Sequence, residues 1–290
     1  MTVYLMTDIE GVAGVSSHAL HSYPEGKYYE EARKRLTREV NAAVDGLLEA
    51  GVSKVLVVDA HGPGGICFDL LHPKALLLHG RPITREQLLS PAWEYDAVAI
   101  VGQHARAGTA SGNQNHTFDS RKIDWMKIND QEVGETLYMA IWAGLRGVPL
   151  IFLSGDDAAC REAESDIPGI VTATVKWGQG ANSEITLSAP ASHALIRERI
   201  QFAVEAHRRT PVSAIQITEP YSLAIRWVDT QLADEAESVS GCERVDGKTT
   251  MYRSSELLDV LRRLHRPAES GEVSNSGPSH RDEKPNPIKQ

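Results

Sequence analysis

Short apolar runs that each stop at an acid or a histidine, with helix-length segments between them, constrain this chain most. Val3–Met6 ends in Thr7-Asp8, Val55–Val58 in Asp59-Ala60-His61, and Ala97–Val101 in Gly102-Gln103-His104. Apolar runs of strand length without polar alternation belong to strands covered on both faces, which is the situation of a parallel sheet between helices. The segment Tyr29–Ala50 supplies one such helix. Its apolar positions Leu36, Val40, Ala43, Leu47 and Leu48 share one face, and Gly51 stops it. Ala75–Leu78 reads as a further strand, and so does Asp124–Asn129, leading into a turn at Asp130-Gln131. A helix over Val133–Leu145, ended by Gly147, and a strand over Pro149–Leu153 complete the series. The fold class is α/β: a mostly parallel central sheet with flanking helices.

Beyond Asp156-Asp157 the pattern is less regular and predicts a smaller α+β C-terminal subdomain. Helices are expected near Ala158–Ser165, Pro190–His207 and Ser254–His265, with strands near Ile170–Lys176, Ser213–Ile217 and Ser222–Ile225. The division is therefore 1–157 for the α/β metal-binding domain and 158–265 for the subdomain. Residues 266–290, rich in Pro, Ser, Gly and charge, read as a disordered tail.

Composition serves mainly to exclude. A net charge of −9 argues against a nucleic-acid partner, whose phosphates need a concentrated basic surface. No apolar run is long enough to span a bilayer, and Met1–Asp8 reads as a first strand rather than a leader, so the expected location is the cytoplasm. Cys67, Cys160 and Cys242 lie far apart, so any metal is expected on imidazole and carboxylate groups.

In open α/β sheets, sites form beyond the carboxyl ends of the strands. Three strands here end there in groups able to hold a metal. Asp8 and Glu10, one residue apart, point to one face if extended, and two close carboxylates repel unless a cation lies between them. His61 and His104 occupy equivalent positions after apolar runs, and Gly62-Pro63-Gly64-Gly65 lets the backbone turn sharply beside His61. Glu135 falls in the first turn of its helix, where the dipole stabilises a carboxylate. Taken singly, each has an ordinary reading as a solvated strand-end acid, a loop histidine or an N-terminal helix acid. Together they suit a pair of borderline divalent ions, zinc, manganese or cobalt rather than calcium. The glycines form neither a Gly-x-Gly-x-x-Gly fingerprint nor a Gly-Lys-Ser/Thr loop, so nucleotide binding is not indicated.

The order Asp8-Ile9-Glu10-Gly11, Asp59-Ala60-His61, Gly102-Gln103-His104-Ala105-Arg106-Ala107, Asn115-His116, Ile128-Asn129-Asp130, Val133-Gly134-Glu135 and Gly155-Asp156-Asp157 resembles the M55 peptidases. These are the D-aminopeptidases associated with a dipeptide transport operon. The resemblance runs from Met1 to about Ala191 and more faintly to about His265. It implies a binuclear zinc site bridged by Asp8 and completed by Glu10, His61, His104 and Glu135, with His116 as the catalytic histidine. It also implies short peptide substrates with N-terminal D-amino acids, and a homo-oligomeric ring, a decamer of stacked pentamers.

On this reading the two ions activate a water against a peptide carbonyl, and His116 acts as general base or oxyanion donor. Asp59, Asp156 and Asp157 are candidates for orienting metal-bound imidazoles, and Asp156 or Asp157 equally for capping the next helix. Arg106 is a candidate contact for a substrate carboxylate or a neighbouring subunit. The same ligands would serve a binuclear amidase or phosphoesterase, and a non-catalytic peptide-binding module of the same fold is the third reading.

Overall fold

The computed structural model describes residues 1–264. The expected tail at 266–290, and His265 at the end of the predicted last helix, lie outside the described residues. The chain runs β1 (Thr2–Thr7), α1 (Tyr29–Glu49), β2 (Lys54–Asp59), β3 (Leu76–Leu78), α2 (Arg85–Leu89), β4 (Ala97–Gln103), β5 (Ile123–Ile128), β6 (Gln131–Glu132) and α3 (Glu135–Gly144). It continues with β7 (Leu150–Asp156), α4 (Asp157–Asp166), β8 (Val171–Gly180), β9 (Ser183–Thr186), α5 (Ala189–Arg209), β10 (Tyr221–Trp227), α6 (Thr230–Glu237), β11 (Cys242–Arg244), β12 (Thr249–Ser254) and α7 (Leu257–Arg263).

The first sheet has the order β3-β2-β1-β4-β7-β8-β9, parallel throughout except for the last pair. Its central strands are apolar without alternation: every residue of β4 and β7 is buried. Helices α1 and α5 pack together on one face, while α3 and α4 cover the other, as right-handed crossovers on either side of β1 require. The chain builds outward from β1 through β2 to β3, then returns to lay β4 on the opposite side of β1. That reversal opens a crevice beyond the carboxyl ends of β1 and β4, the place where doubly wound sheets bind ligands.

A second, antiparallel sheet has the order β11-β12-β10-β5-β6. The strand predicted at Asp124–Asn129 is therefore real but belongs here, pairing with β10 and hairpinning into β6. Asn129 and Asp130 form that two-residue turn with φ of +47 and +66, left-handed values that short polar side chains tolerate. Sheet membership does not follow a cut at Asp157, since β8 and β9 extend the parallel sheet while β5 and β6 join β10. The strand expected at Ser213–Ile217 does not form. That segment lies against the end of α3, where Gln216 donates to the Gly144 carbonyl and a Cβ at Gly144 would meet the Ile215 carbonyl oxygen at 2.0 Å. Its apolar residues are satisfied by a helix, so no ladder is needed.

Candidate active site

The three strand ends converge as their positions in the sheet dictate. Asp8 follows β1, His61 follows β2 and His104 follows β4, and these strands are neighbours. Glu135 is the first residue of α3, which approaches the same edge after the excursion through β5 and β6. The loop 104–122 carries His116 over the cluster. All of Asp8, Glu10, His61 and His104 are buried.

Close approach of the strand ends depends on glycine. At Gly102, φ is +83 and a Cβ would lie 2.0 Å from the Asp8 carbonyl oxygen; a Cβ on Gly11 would lie 2.0 Å from that of Gln103. No side chain fits between these backbones. A second device is Lys176, fully buried on β8. Its ammonium donates to the carbonyls of Glu10 and Val15 and to Asn113 Oδ1 at 2.8 Å, and pairs with Glu184 at 3.0 Å. Gln114 Nε2 reaches the same two carbonyls at 3.2 and 2.9 Å. The strand-exit segment bearing Glu10 is thus pinned at the same two carbonyls by an amine and by an amide.

Asp8 Oδ1 lies 3.1 Å from His61 Nδ1, and its Oδ2 lies 3.2 Å from His104 Nε2. Glu10 Oε2 stands 3.2 Å from the same His61 nitrogen, and Glu135 Oε1 3.4 Å from the same His104 nitrogen. His116 stacks on His104 with ring centroids 3.8 Å apart, its Nε2 3.9 Å from Glu135 Oε1. Glu135 Oε1 also accepts from the Phe118 amide at 2.8 Å. The structure thus brings together all six residues singled out in the sequence as ligands or catalytic histidine.

Each imidazole is oriented by a backbone carbonyl, which can only accept. His61 donates from Nε2 to Ser22 at 2.7 Å, His104 from Nδ1 to Ala105 at 2.8 Å and His116 from Nδ1 to Gln114 at 2.9 Å. In the neutral ring the opposite nitrogen then carries the lone pair, and in all three that nitrogen faces the cluster. Burial alone would lower His61 and His104, but Glu10 and Asp8 around the first, and Glu135 and Asp8 around the second, raise both well above the usual imidazole range. Burial alone would likewise raise Asp8; His104 and His61 hold it well below the usual carboxylate range. The cluster therefore draws positive charge inward.

The donor set also fits a cation sterically. Glu10 Oε2 and His104 Nε2 are buried without an aligned hydrogen-bond partner among the described residues, although each has close neighbours. The ligand atoms of Asp8, Glu10 and His104 lie within 4.8 Å of one another, and so do those of His104, His116 and Glu135.

A family model for peptidase M55, described as D-aminopeptidase, matches residues 1–265. The chain belongs to the M55 peptidase family. A D-aminopeptidase from Bacillus subtilis (strain 168) is 29% identical over 271 residues, 91% of this chain and 95% of the relative. The solved structure described as the Zn-dependent D-aminopeptidase DppA from Bacillus subtilis, a self-compartmentalizing protease, superimposes with a TM-score of 0.87 at 27% identity. The match covers 93% of this chain and 97% of that one. The M55 fold, a mostly parallel sheet with flanking helices joined to an antiparallel sheet, is the fold of this chain.

Within this M55 chain, the carboxylates offered as supports for the imidazoles serve backbone amides instead, and of the two roles expected for Asp156 the helix cap is the one that forms. Asp59 does not orient an imidazole: it accepts from the amides of Gly65 and Ile66 at 2.7 and 3.2 Å and so shapes the glycine loop beside His61. Asp156 caps α4 through the Ala159 amide at 2.7 Å and holds the Asn113 amide at 3.0 Å. Asp157 accepts from the Gly178 amide at 3.1 Å and pairs with Arg161. Backbone carbonyls, invisible to a reading of side chains, do the orienting. Arg106 points away from the cluster, 3.5 to 3.9 Å from Glu132, Glu162 and Asp166 in a separate cavity.

His18 was not anticipated. Its Nδ1 lies 3.8 Å from Glu10 Oε1, and its ring meets His116 edge-on with centroids 5.0 Å apart. Burial, and then the neighbouring His116, lower it to about 4, so at neutral pH it is an uncharged wall. It sits in a short helical turn over His18–Ser22, with no strand end to flag it. The cluster opens into a cavity of about 750 Å³ whose lining includes Tyr23, Arg85, Phe118, Tyr138 and Met139. That is room for a short peptide.

Proposed function

We propose that this chain is a zinc-dependent aminopeptidase holding two ions, which releases N-terminal residues, D-amino acids among them, from short peptides. One observation carries the reading. The two oxygens of Asp8 face two different imidazoles, each accompanied by its own second carboxylate, Glu10 beside His61 and Glu135 beside His104. Asp8 would bridge, with Glu10 and His61 on one ion and His104 and Glu135 on the other. Manganese or cobalt would suit the same donors. Bound divalent ions supply a nucleophilic water at neutral pH and polarise the scissile carbonyl.

The remaining chemistry lies with side chains. His116 donates its Nδ1 proton to the Gln114 carbonyl, so Nε2 is free to take a proton at the cavity and later return it. Its stacking on His104 fixes the ring plane. As ligands His61 and His104 would give up the protons that the carboxylates hold on them, and with two divalent ions held the cluster's net charge would be positive, which suits a developing oxyanion. The Zn-dependence of the related DppA supports the metal, and its self-compartmentalizing character supports a homo-oligomer. A cytoplasmic location is part of the proposal. No helix among the described residues is long and apolar enough to cross a membrane.

The test is hydrolysis by the zinc-loaded protein of D-alanyl-D-alanine, its L,L counterpart and a phosphodiester. Release of D-alanine, lowered about 10²- to 10⁴-fold in His116→Ala with zinc retained, is the expected result. Phosphodiester cleavage without peptidase activity would overturn it.

A further inference from the structure

The cavity holds a cation that no hydrogen bond or close ion pair engages among the described residues, Glu135 acting on it only at longer range. Arg85, the first residue of α2, is partly buried in the cavity wall, and among the described residues its guanidinium makes neither a hydrogen bond nor an ion pair. Its Cζ lies over the ring of Phe118, 3.7 Å from the centroid, with the Tyr138 ring centroid at 5.9 Å. The other arginines nearby are committed. Arg81 donates to the carbonyls of Asp59, His61, Gly62 and Gly80, while Arg121 is largely exposed beside Asp119. Glu86, next in sequence, is taken by Arg262.

A guanidinium stays charged at any physiological pH and presents five donors in a planar fork that matches a carboxylate. Burying one without a partner is costly, and ring faces compensate only in part. Here the rings contact the cation while its N–H donors stay unused among the described residues. The position is also specific. Phe118 carries Arg85 on its ring and donates its amide to Glu135, so the cation stands one residue away from the cluster.

We propose that Arg85 receives the C-terminal carboxylate of the peptide, making this chain selective for short substrates with a free C-terminus. The inference rests on the aminopeptidase reading above. A peptide whose amine and scissile carbonyl lie at the cluster extends its other end along the cavity, at no more than about 3.6 Å per residue. In a di- or tripeptide that end is an obligatory anion. Arg85 would clamp it bidentately, fixing both substrate length and the register of the scissile bond.

The experiment compares D-alanyl-D-alanine with its C-terminal amide, and with D-alanine p-nitroanilide, on zinc-loaded wild type, Arg85→Lys and Arg85→Met. Wild type is expected to favour the free acid over the amide by about 30-fold or more in kcat/KM, chiefly through KM. Arg85→Met should bring that ratio near one by losing activity on the acid alone, with the anilide unchanged. Arg85→Lys should retain part of the preference, having the charge without the fork. Equal cleavage of acid and amide by wild type would overturn the clamp and leave the peptidase reading standing. So would an Arg85→Met loss of the same factor on all three substrates. Inactivity of wild type on all three would overturn both. Should Arg85→Met fold poorly, the acid-to-amide ratios of wild type and Arg85→Lys decide.

Discussion

Replacing Gly102 by alanine tests how the site is assembled. The residue has φ of +83, and its new Cβ would meet the Asp8 carbonyl oxygen at 2.0 Å and Val12 Cγ2 at 2.9 Å. The left-handed backbone alone costs an alanine about 1–2 kcal/mol. The carbonyl contact is about an ångström too short for any real pair, so the backbones of β1 and β4 must part there, adding the about 1–3 kcal/mol typical of overpacking. Gly147 provides the control, with φ of +73 and nothing within 4 Å of an added Cβ. It follows α3 at the far end from Glu135, so Gly147→Ala should show the conformational cost and nothing else. Thermal melts of both variants separate the terms: about 1–2 kcal/mol lost in Gly147→Ala, and about twice that or more in Gly102→Ala. Because Asp8 and His104 flank the displaced backbone, Gly102→Ala should also lose about 10²-fold in turnover, while Gly147→Ala keeps wild-type turnover. Equal stability losses with full activity in both would refute the claim that backbone contact between these strands positions the site.

Two further outcomes follow from charge. Burial raises Glu39, on the buried face of α1, from an ordinary value near 4.5 to about 7. Because the folded-state value lies above the unfolded one, its contribution to stability is full below about pH 4.5 and is lost as pH climbs to about 7. Glu39→Gln should therefore match wild type near pH 4 and exceed it above pH 7 by roughly 3 kcal/mol at most; urea melts showing the same pH dependence in both would contradict this. Zinc must displace the protons that the surrounding carboxylates hold on His61 and His104, so apparent affinity should rise with pH and uptake near pH 7 should release protons, up to about two. Calorimetry in buffers of different ionisation enthalpy reads that number, and zero release would contradict the arrangement.

How much of this was legible in the sequence depends on which interaction carried each feature. The parallel sheet was legible because burial on both faces writes itself as unbroken runs such as Ala97–Val101, and the ligands because they interrupt those runs at their carboxyl ends. Glu135 was found by the family pattern more than by its helix, since an acid in a first turn is commonplace. The assignment of Asp124–Asn129 to a second sheet was not legible: its partner, β10, lies about 95 residues away. Ser213–Ile217 misled because packing on α3 and pairing in a sheet ask for the same apolar residues. Asp59 and Asp157 do not meet the imidazoles because carboxylates near strand ends serve loop amides as readily, whereas the cap expected at Asp156 was legible from an acid standing just before a helix. Lys176 and Arg85 were missed for a related reason, since a lysine within a strand and an arginine opening a short helix look like surface residues until their surroundings are known.

The central claim is that five side chains from four elements hold two ions around Asp8. Anomalous diffraction at the zinc edge from crystals of the zinc-loaded protein tests it most directly. The account predicts two peaks flanking the Asp8 carboxylate, one within about 2.0–2.2 Å of His61 Nδ1 and Glu10, the other at the same range from His104 Nε2 and Glu135. A single peak, or zinc bound elsewhere with these side chains still facing one another, would contradict it.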